Sequence, residues 1–268
     1  MIKPGEIQRK AHDDGVRDQQ IEKDYILSWI LRGIAQHENL STCLAFKGGT
    51  VLKKVYFDDY RFSEDLDFTL LDEVLSNEQI FRWFGEVFGY IKEETNIPLE
   101  IIDDDEHQDG GINFYIGYIG PLGGLGMNKK VKIDISKHEK LEFDPILKDV
   151  YIGYSDIDEH QLLCYRLEEV LIEKMRSVMQ RMQARDFYDL WYLLDQQEIE
   201  VDSYLDEFSL KCSAKNLKSA DFPKKLAERI PQYKARWGIS LNEQIKDLPD
   251  FDRVERELRR GLRDVHFN

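Results

Sequence analysis

Asp65 and Asp67 are separated by one residue in Phe62-Ser63-Glu64-Asp65-Leu66-Asp67-Phe68, and the glycine pair of Phe46-Lys47-Gly48-Gly49-Thr50 precedes them. In a β-strand, side chains i and i+2 share a face. The two carboxylates therefore converge, while Leu66, Phe68 and Leu70 point the other way. Convergent carboxylates repel and raise one another's pKa unless a cation lies between them. A hard divalent ion with oxygen ligands, Mg2+ or Mn2+, relieves that repulsion. A glycine pair at a helix start lets the backbone approach a phosphate closely. The chemistry implied is metal-dependent handling of phosphate.

The elements that must hold these residues are legible in the periodicity. Gln19–Gln36 repeats apolar residues at helical spacing, and Leu44-Ala45-Phe46 is a short apolar strand entering the glycine turn. Thr50–Tyr56 then reads as helix and Ser63–Leu71 as strand. Ser76-Asn77-Glu78-Gln79 has the pattern of a capping box. The helix it opens places Ile80, Phe84, Val87, Phe88 and Ile91 on one face. Pro98–Ile102 is a short strand, and Ile112–Ile119 with Val131–Ile135 forms a hairpin around Gly120-Pro121-Leu122-Gly123-Gly124-Leu125-Gly126. That loop could touch a nucleotide or simply supply positive φ to the connection. In the second hairpin strand Val131, Ile133 and Ile135 share one face, and Lys132, Asp134 and Ser136 the other. Asp134 is thus a candidate third metal carboxylate. No glycine occurs between Gly153 and Gly238, which predicts a helical second half. The expected domains are 1–155 and 156–268.

Leu162–Leu194 reads as one long helix whose apolar stripe is Leu167, Val170, Leu171, Met175, Val178 and Met182. Lys174 falls within the stripe, and Arg181, Arg185 and Asp189 continue along it. Charged side chains are rarely buried unpaired. The partner of Lys174 is either a carboxylate such as Glu173, Asp186 or Asp189, or a nucleotide triphosphate.

Net charge is −15, which argues against strong non-specific DNA binding. The charge is uneven: residues 201–268 carry 14 Lys and Arg against 12 Asp and Glu, which is the pattern of ordinary solvated helices and also makes this part the better candidate for a polyanion contact. Three widely spaced cysteines fit a reducing compartment. With no leader-like segment and no apolar run long enough to span a bilayer, a soluble, cytoplasmic protein is expected.

Four motifs in order resemble the AbiEii/AbiGii toxin family of toxin–antitoxin and abortive-infection systems. They are Gly48-Gly49-Thr50-x-Leu52, Arg61-Phe62-Ser63-Glu64-Asp65-Leu66-Asp67-Phe68, Lys132-Ile133-Asp134-Ile135-Ser136, and Glu169 to Leu190 with Lys174, Arg181, Arg185, Asp186 and Asp189. The resemblance covers about residues 20–195. It implies an α+β fold: a polymerase-β-type nucleotidyltransferase core, a mixed sheet with flanking helices, followed by a helical C-terminal part that contributes to the active site. It assigns Gly48, Gly49, Thr50, Lys53, Ser63, Lys174 and Arg185 to the nucleotide. It makes Asp65, Asp67, Lys174, Asp186 and Asp189 catalytic, and Asp65, Asp67 and Asp134 metal ligands. It further implies an NTP substrate, an acceptor hydroxyl on RNA such as tRNA or on a protein, two-metal in-line displacement, and a cognate antitoxin of the winged-helix repressor type. A nucleotide-binding toxin or sensor without turnover, and a small-molecule nucleotidyltransferase of the antibiotic-modifying kind, are the alternatives. Asp65-Leu66-Asp67-Phe68-Thr69 also mimics the Asp-x-Asp-x-Thr loop of haloacid-dehalogenase-like phosphatases. There, however, an apolar strand precedes the first Asp, whereas here Tyr60-Arg61-Phe62-Ser63-Glu64 does.

Overall fold

The computed structural model describes residues 1–72, 74–108, 110–124 and 129–267, which form two compact units. The first unit comprises Met1–Glu139 and Pro145–Tyr165, the second Lys140–Asp144 and Arg166–Asn268.

The first unit begins with helices α1 (Pro4–Asp14), α2 (Asp18–Gln36) and α3 (Leu40–Cys43). Strand β1 (Leu44–Lys47) runs directly into α4 (Gly48–Val51), which continues as a π-helical turn over Leu52–Tyr56. Then come β2 (Asp65–Leu70), α5 (Asn77–Thr95), β3 (Leu99–Glu106), β4 (Ile112–Tyr118), β5 (Lys130–Ser136), β6 (Ile146–Asp149) and β7 (Gln161–Cys164). Among the described residues the strands form one mixed sheet in the order β3-β4-β5-β2-β1-β7-β6. β2 is antiparallel to β1 and parallel to β5, and β7 is parallel to β1.

The alternation expected of β2 and β5 is present. Leu66, Phe68, Val131, Ile133 and Ile135 are buried, whereas Asp65, Asp67, Lys132 and Asp134 are half-buried on the opposite face. Helix α5 starts as its sequence predicts, with the Ser76 hydroxyl accepting a hydrogen bond from the Gln79 amide at 3.2 Å. Its apolar face, Ile80, Phe84, Val87, Phe88 and Ile91, is buried, and Phe84 meets Phe114 of β4 edge to face at 5.0 Å. The hairpin loop takes positive φ at Gly123 and Gly124, while Leu125 and Gly126 lie outside the described residues.

The second unit holds α6 (Leu167–Gln180), α7 (Ala184–Trp191), α8 (Leu205–Ser213), α9 (Phe222–Leu241) and α10 (Phe251–Gly261). Two expectations change here. Residues 156–165 stay with the sheet, because β7 pairs with both β1 and β6. Residues 140–144 join the helices instead. The Glu169 carboxylate accepts the amides of Glu142 and Phe143, each at 3.0 Å, and Lys211 donates to Glu169 at 2.6 Å and to the Lys140 carbonyl at 2.7 Å.

The long helix expected over Leu162–Leu194 is also interrupted. Leu162 and Leu163 belong to β7, and the backbone extends at Arg181 and Gln183 between α6 and α7. No glycine or proline marks that break. Side chains of α9 stabilise it by satisfying carbonyls left open at the end of α6. Tyr233 donates to the Val178 and Arg181 carbonyls at 3.0 and 3.3 Å, and Arg236 donates to the Met182 carbonyl at 2.7 Å. Met182, expected on the buried stripe, is consequently exposed. Tyr233 is fully buried, so Tyr233→Phe removes a donor without reshaping the core. Its expected cost is about 1–2 kcal/mol in urea unfolding. An unchanged midpoint would show that the break does not rely on this hydroxyl.

Candidate active site

The first unit builds one polar sheet face around the β1–α4 junction. Gly48 turns the chain with φ +78°, and a Cβ there would lie 2.2 Å from Oδ2 of Asp67. A glycine is therefore required twice over, for the left-handed backbone and for the space the Asp67 carboxylate occupies. Thr50, in the first turn of α4, donates its hydroxyl to the Asp65 carbonyl at 2.5 Å, tying the helix start to the β2 entrance. Ser63 is buried just before β2, and its carbonyl accepts from the Gln20 side chain of α2 at 3.4 Å. Gly49 and Thr50 are buried.

Strand register determines which residues share this face. Asp67 lies opposite Lys47 of β1 and Asp134 of β5, and Asp65 lies opposite Lys132. Asn113 and Tyr115 of β4 continue the rows opposite Asp134 and Lys132. Lys132 donates to Oδ2 of Asp134 at 3.1 Å, and His107 Nε2 lies 3.6 Å from the same oxygen. Burial works to lower the Lys132 pKa, but Asp134, Asp65 and Asp67 outweigh it and raise the ammonium above its ordinary value. Lys47 is buried, donates to the Ser136 hydroxyl at 3.1 Å and sits 5.7 Å from the centre of the Tyr165 ring. Lys47 and Lys132 thus place two ammonium groups on the face of the three carboxylates. Neither was assigned a role from sequence. The signal was available for Lys132, which lies two residues from Asp134 on the same strand face.

The adjacent lysines of the π-helical turn have other partners. Lys53 donates to the Asp58 carbonyl at 2.6 Å and lies over the Phe62 ring at 4.6 Å. Lys54 is buried and donates to Asp24 of α2 at 2.7 Å and to Ser28 at 2.8 Å, with Tyr154 donating to the same Asp24 oxygen at 2.7 Å. Burial alone would raise the Asp24 carboxyl, but Lys54 and Tyr154 hold it below the usual range.

In the second unit the sequence-identified charges also gather. Lys174 of α6 lies 2.9 Å from Asp186 and 2.7 Å from Asp189 of α7. The exposed Arg181 adds two bonds to Asp186, at 2.6 and 3.0 Å. Arg185 is half-buried on α7. Of the two partner classes considered for Lys174, the carboxylates are present here, and the pair Asp186 and Asp189 is supplied by the turn of helix beyond the break. Burial raises the Asp186 carboxyl, but Lys174 and Arg181 outweigh it and the net shift is downward.

Removing the ammonium while leaving two buried carboxylates is costly. Lys174→Met is expected to destabilise the chain by about 3–5 kcal/mol. An NTP titration beside the unfolding curve distinguishes roles: a large stability loss with unchanged NTP affinity assigns Lys174 to the core of the second unit alone.

The same cluster has a pH signature. A depressed folded pKa means that the stability from Asp186 is present above the unfolded aspartate value of about 4. It is lost as pH falls through the lower folded value. The unfolding free energy of the wild type should therefore fall more steeply below about pH 4 than that of Asp186→Asn. Parallel acid limbs for the two proteins would contradict this.

Among the described residues no three His, Cys, Asp or Glu side chains converge closely enough to form a metal cage by themselves. The sheet face does offer hard oxygen donors, with Asp65 and Asp67 on one strand face and Asp134 in register beside Asp67. Mg2+ commonly binds through one or two carboxylates, water and substrate phosphates. This donor set fits an ion that arrives with a nucleotide better than one caged permanently by protein.

Comparison with known proteins places this geometry in a family. A search of curated protein sequences returns no match. Among solved structures, JHP933 from Helicobacter pylori superposes with a TM-score of 0.58 at 19% identity, covering 92% of each chain. MenT4, a nucleotidyltransferase toxin from Mycobacterium tuberculosis, superposes with a TM-score of 0.54 at 15% identity, covering 98% of this chain and 99% of its own. At these identities the likeness establishes the fold alone, a mixed sheet with flanking helices shared with both structures. The family model for the nucleotidyl transferase AbiEii toxin of type IV toxin–antitoxin systems matches residues 29–257, so the chain belongs to the AbiEii nucleotidyltransferase toxin family.

Proposed function

We propose that this toxin transfers a nucleotidyl group from an NTP to an acceptor hydroxyl on RNA, with tRNA as the leading candidate, and that Asp65 and Asp67 hold the Mg2+ or Mn2+ ion it requires. The observation that carries the reading is the packing of the Asp67 carboxylate against Gly48, with Asp65 on the same strand face. This brings an anionic donor pair next to a helix start with no side chain at its first position. Amides at such a start point toward an incoming phosphate. In the proposed reaction the backbone of Gly48, Gly49 and Thr50 receives the phosphates, and Ser63 supports the turn into β2. Asp65 and Asp67, with Asp134 available as the third carboxylate, would hold the ion that orients the α-phosphate; the acceptor oxygen bonds to the α-phosphorus as the bond to the β-phosphate breaks, pyrophosphate leaves, and the hydroxyl proton is lost to solvent.

A bound divalent ion would supply charge neutralisation for the attacking and leaving oxygens of an in-line displacement, the two-ion form being the one the family resemblance implies. The chain's own contribution is positioning and fixed electrostatics, which account for most of the acceleration in phosphoryl-type transfer. An RNA acceptor is compatible with a net charge of −15 only through a local contact. Residues 201–268, where basic residues outnumber acidic ones, provide the most suitable stretch. A cognate antitoxin follows from family membership, and we take a winged-helix repressor as its expected form.

Incubation with each α-labelled NTP, total cellular RNA and Mg2+ tests the proposal. Label is expected in RNA, and Asp67→Ala should reduce it by about 100-fold or more. The same substitution should relieve growth inhibition in cells while the protein remains folded. Label that appears only on protein or on a small molecule would reassign the acceptor. A fully active Asp67→Ala variant would exclude this face as the reaction site.

A further inference from the structure

The carboxylates of the sheet face carry a counter-ion from their own chain. Lys132 stands opposite Asp65 in the β2–β5 register and one position along from the Asp67–Asp134 pair. Its ammonium is 3.1 Å from Asp134. It therefore lies beside the carboxylates that, together with substrate phosphates, would hold a divalent ion. Lys132 is not sealed in place, since its side chain retains 29% exposure and that of Asp134 22%. A long, partly exposed side chain can exchange one anionic partner for another by rotation about its own bonds.

We infer that Lys132 is a resident counter-ion that competes with a divalent metal for Asp65, Asp67 and Asp134, so that the metal enters only with a nucleotide whose phosphates take over the ammonium. The inference rests on the site reading above and adds a coupling to it. Without nucleotide, a metal ion must share the acids with an ammonium that it repels. With nucleotide, the triphosphate offers Lys132 a second anion, and the carboxylates are released to the ion. Lys132 acts here as a counter-ion that becomes a phosphate-binding group. By this device the toxin avoids holding a loaded metal site when no substrate is bound. His107, near the same Asp134 oxygen, is on the protein side of this exchange and is left unaltered in the test.

The experiment measures binding rather than turnover. Mn2+ alone is titrated into the full chain by calorimetry and by loss of the free-ion electron paramagnetic resonance signal. Wild type, Lys132→Gln, Lys132→Arg and Asp67→Asn are compared, each checked for folding by circular dichroism. Without nucleotide, Lys132→Gln is expected to bind Mn2+ at least about tenfold more tightly than wild type, the size of effect a nearby like charge produces. Lys132→Arg, which keeps the charge, should bind as weakly as wild type. Adding the α,β-methylene analogues of the four nucleoside triphosphates should tighten Mn2+ binding in wild type and narrow the gap to Lys132→Gln. Equal Mn2+ affinity in wild type and Lys132→Gln overturns the inference, as does equal tightening by Lys132→Gln and Lys132→Arg. Binding that requires Asp67 but ignores residue 132 overturns the inference alone. Binding that ignores Asp67 in every state overturns the site reading, and the inference with it.

Discussion

The first unit is organised by the approach of one carboxylate to one backbone position. Asp67 can reach the first turn of α4 only because Gly48 has no Cβ; any larger residue would overlap the carboxylate oxygen. That contact sets demands in both directions. The chain must leave β1 with positive φ, so the turn belongs to glycine. β2 must keep its register with β1, because a slip of one residue would carry Asp65 and Asp67 to the buried face and expose Leu66 and Phe68. The apolar packing of Phe46 on Phe68, with ring centres 5.4 Å apart, holds that register from the other side of the sheet. The chemistry-bearing face is thus fixed by the packing of its reverse.

Helix α2 supplies a second tier of positioning. Its residues Gln20, Lys23 and Asp24 reach the Ser63 carbonyl, Glu64 and Lys54 respectively. The segments that flank β2 and follow the glycine turn are therefore tied to one helix. The Asp24–Lys54 pair is buried, and such a pair returns little net stability once desolvation is counted. Its value is geometric. The ammonium is shared by Asp24 and Ser28 while Tyr154 donates to the same carboxylate, which leaves the helix after Gly48-Gly49 little freedom to rotate.

Much of this was legible in sequence because it follows short periods. The period-two alternation of β2 and β5, the serine cap of α5 and its apolar face are each determined by neighbours a few residues away. The parts that were not legible depend on distant residues. The break between α6 and α7 has no glycine or proline, and its open carbonyls are satisfied by Tyr233 and Arg236, some fifty positions along the chain. The allocation of residues 140–144 rests on Glu169 and Lys211. Repulsion between Asp65 and Asp67 points to a divalent ion but says nothing of ammonium groups on neighbouring strands. Strand register, which pairs Lys132 with Asp65 and Lys47 with Asp67, is what brings ammonium groups to that face.

The two lysine–aspartate clusters of this chain show how burial decides the use of the same residue types. Lys174 retains 7% exposure between Asp186 and Asp189, at 2% and 0%. In that environment an ion cannot be lost without leaving buried charge uncompensated, at a cost of roughly 3–5 kcal/mol. Such a cluster resists change, and it links α7 to α6 across a break that no glycine or proline marks. Lys132 and Asp134 are made of the same groups at a similar distance, but water reaches both. At 29% and 22% exposure the pair lies between the buried case and the exposed one, which is worth only about 0–1 kcal/mol, so its members change partners at less cost than Lys174 would. Exchange of one charged partner for another is less costly at the second kind of pair than at the first. The difference is invisible in the residue types and is set by how much of each side chain the fold leaves in contact with solvent.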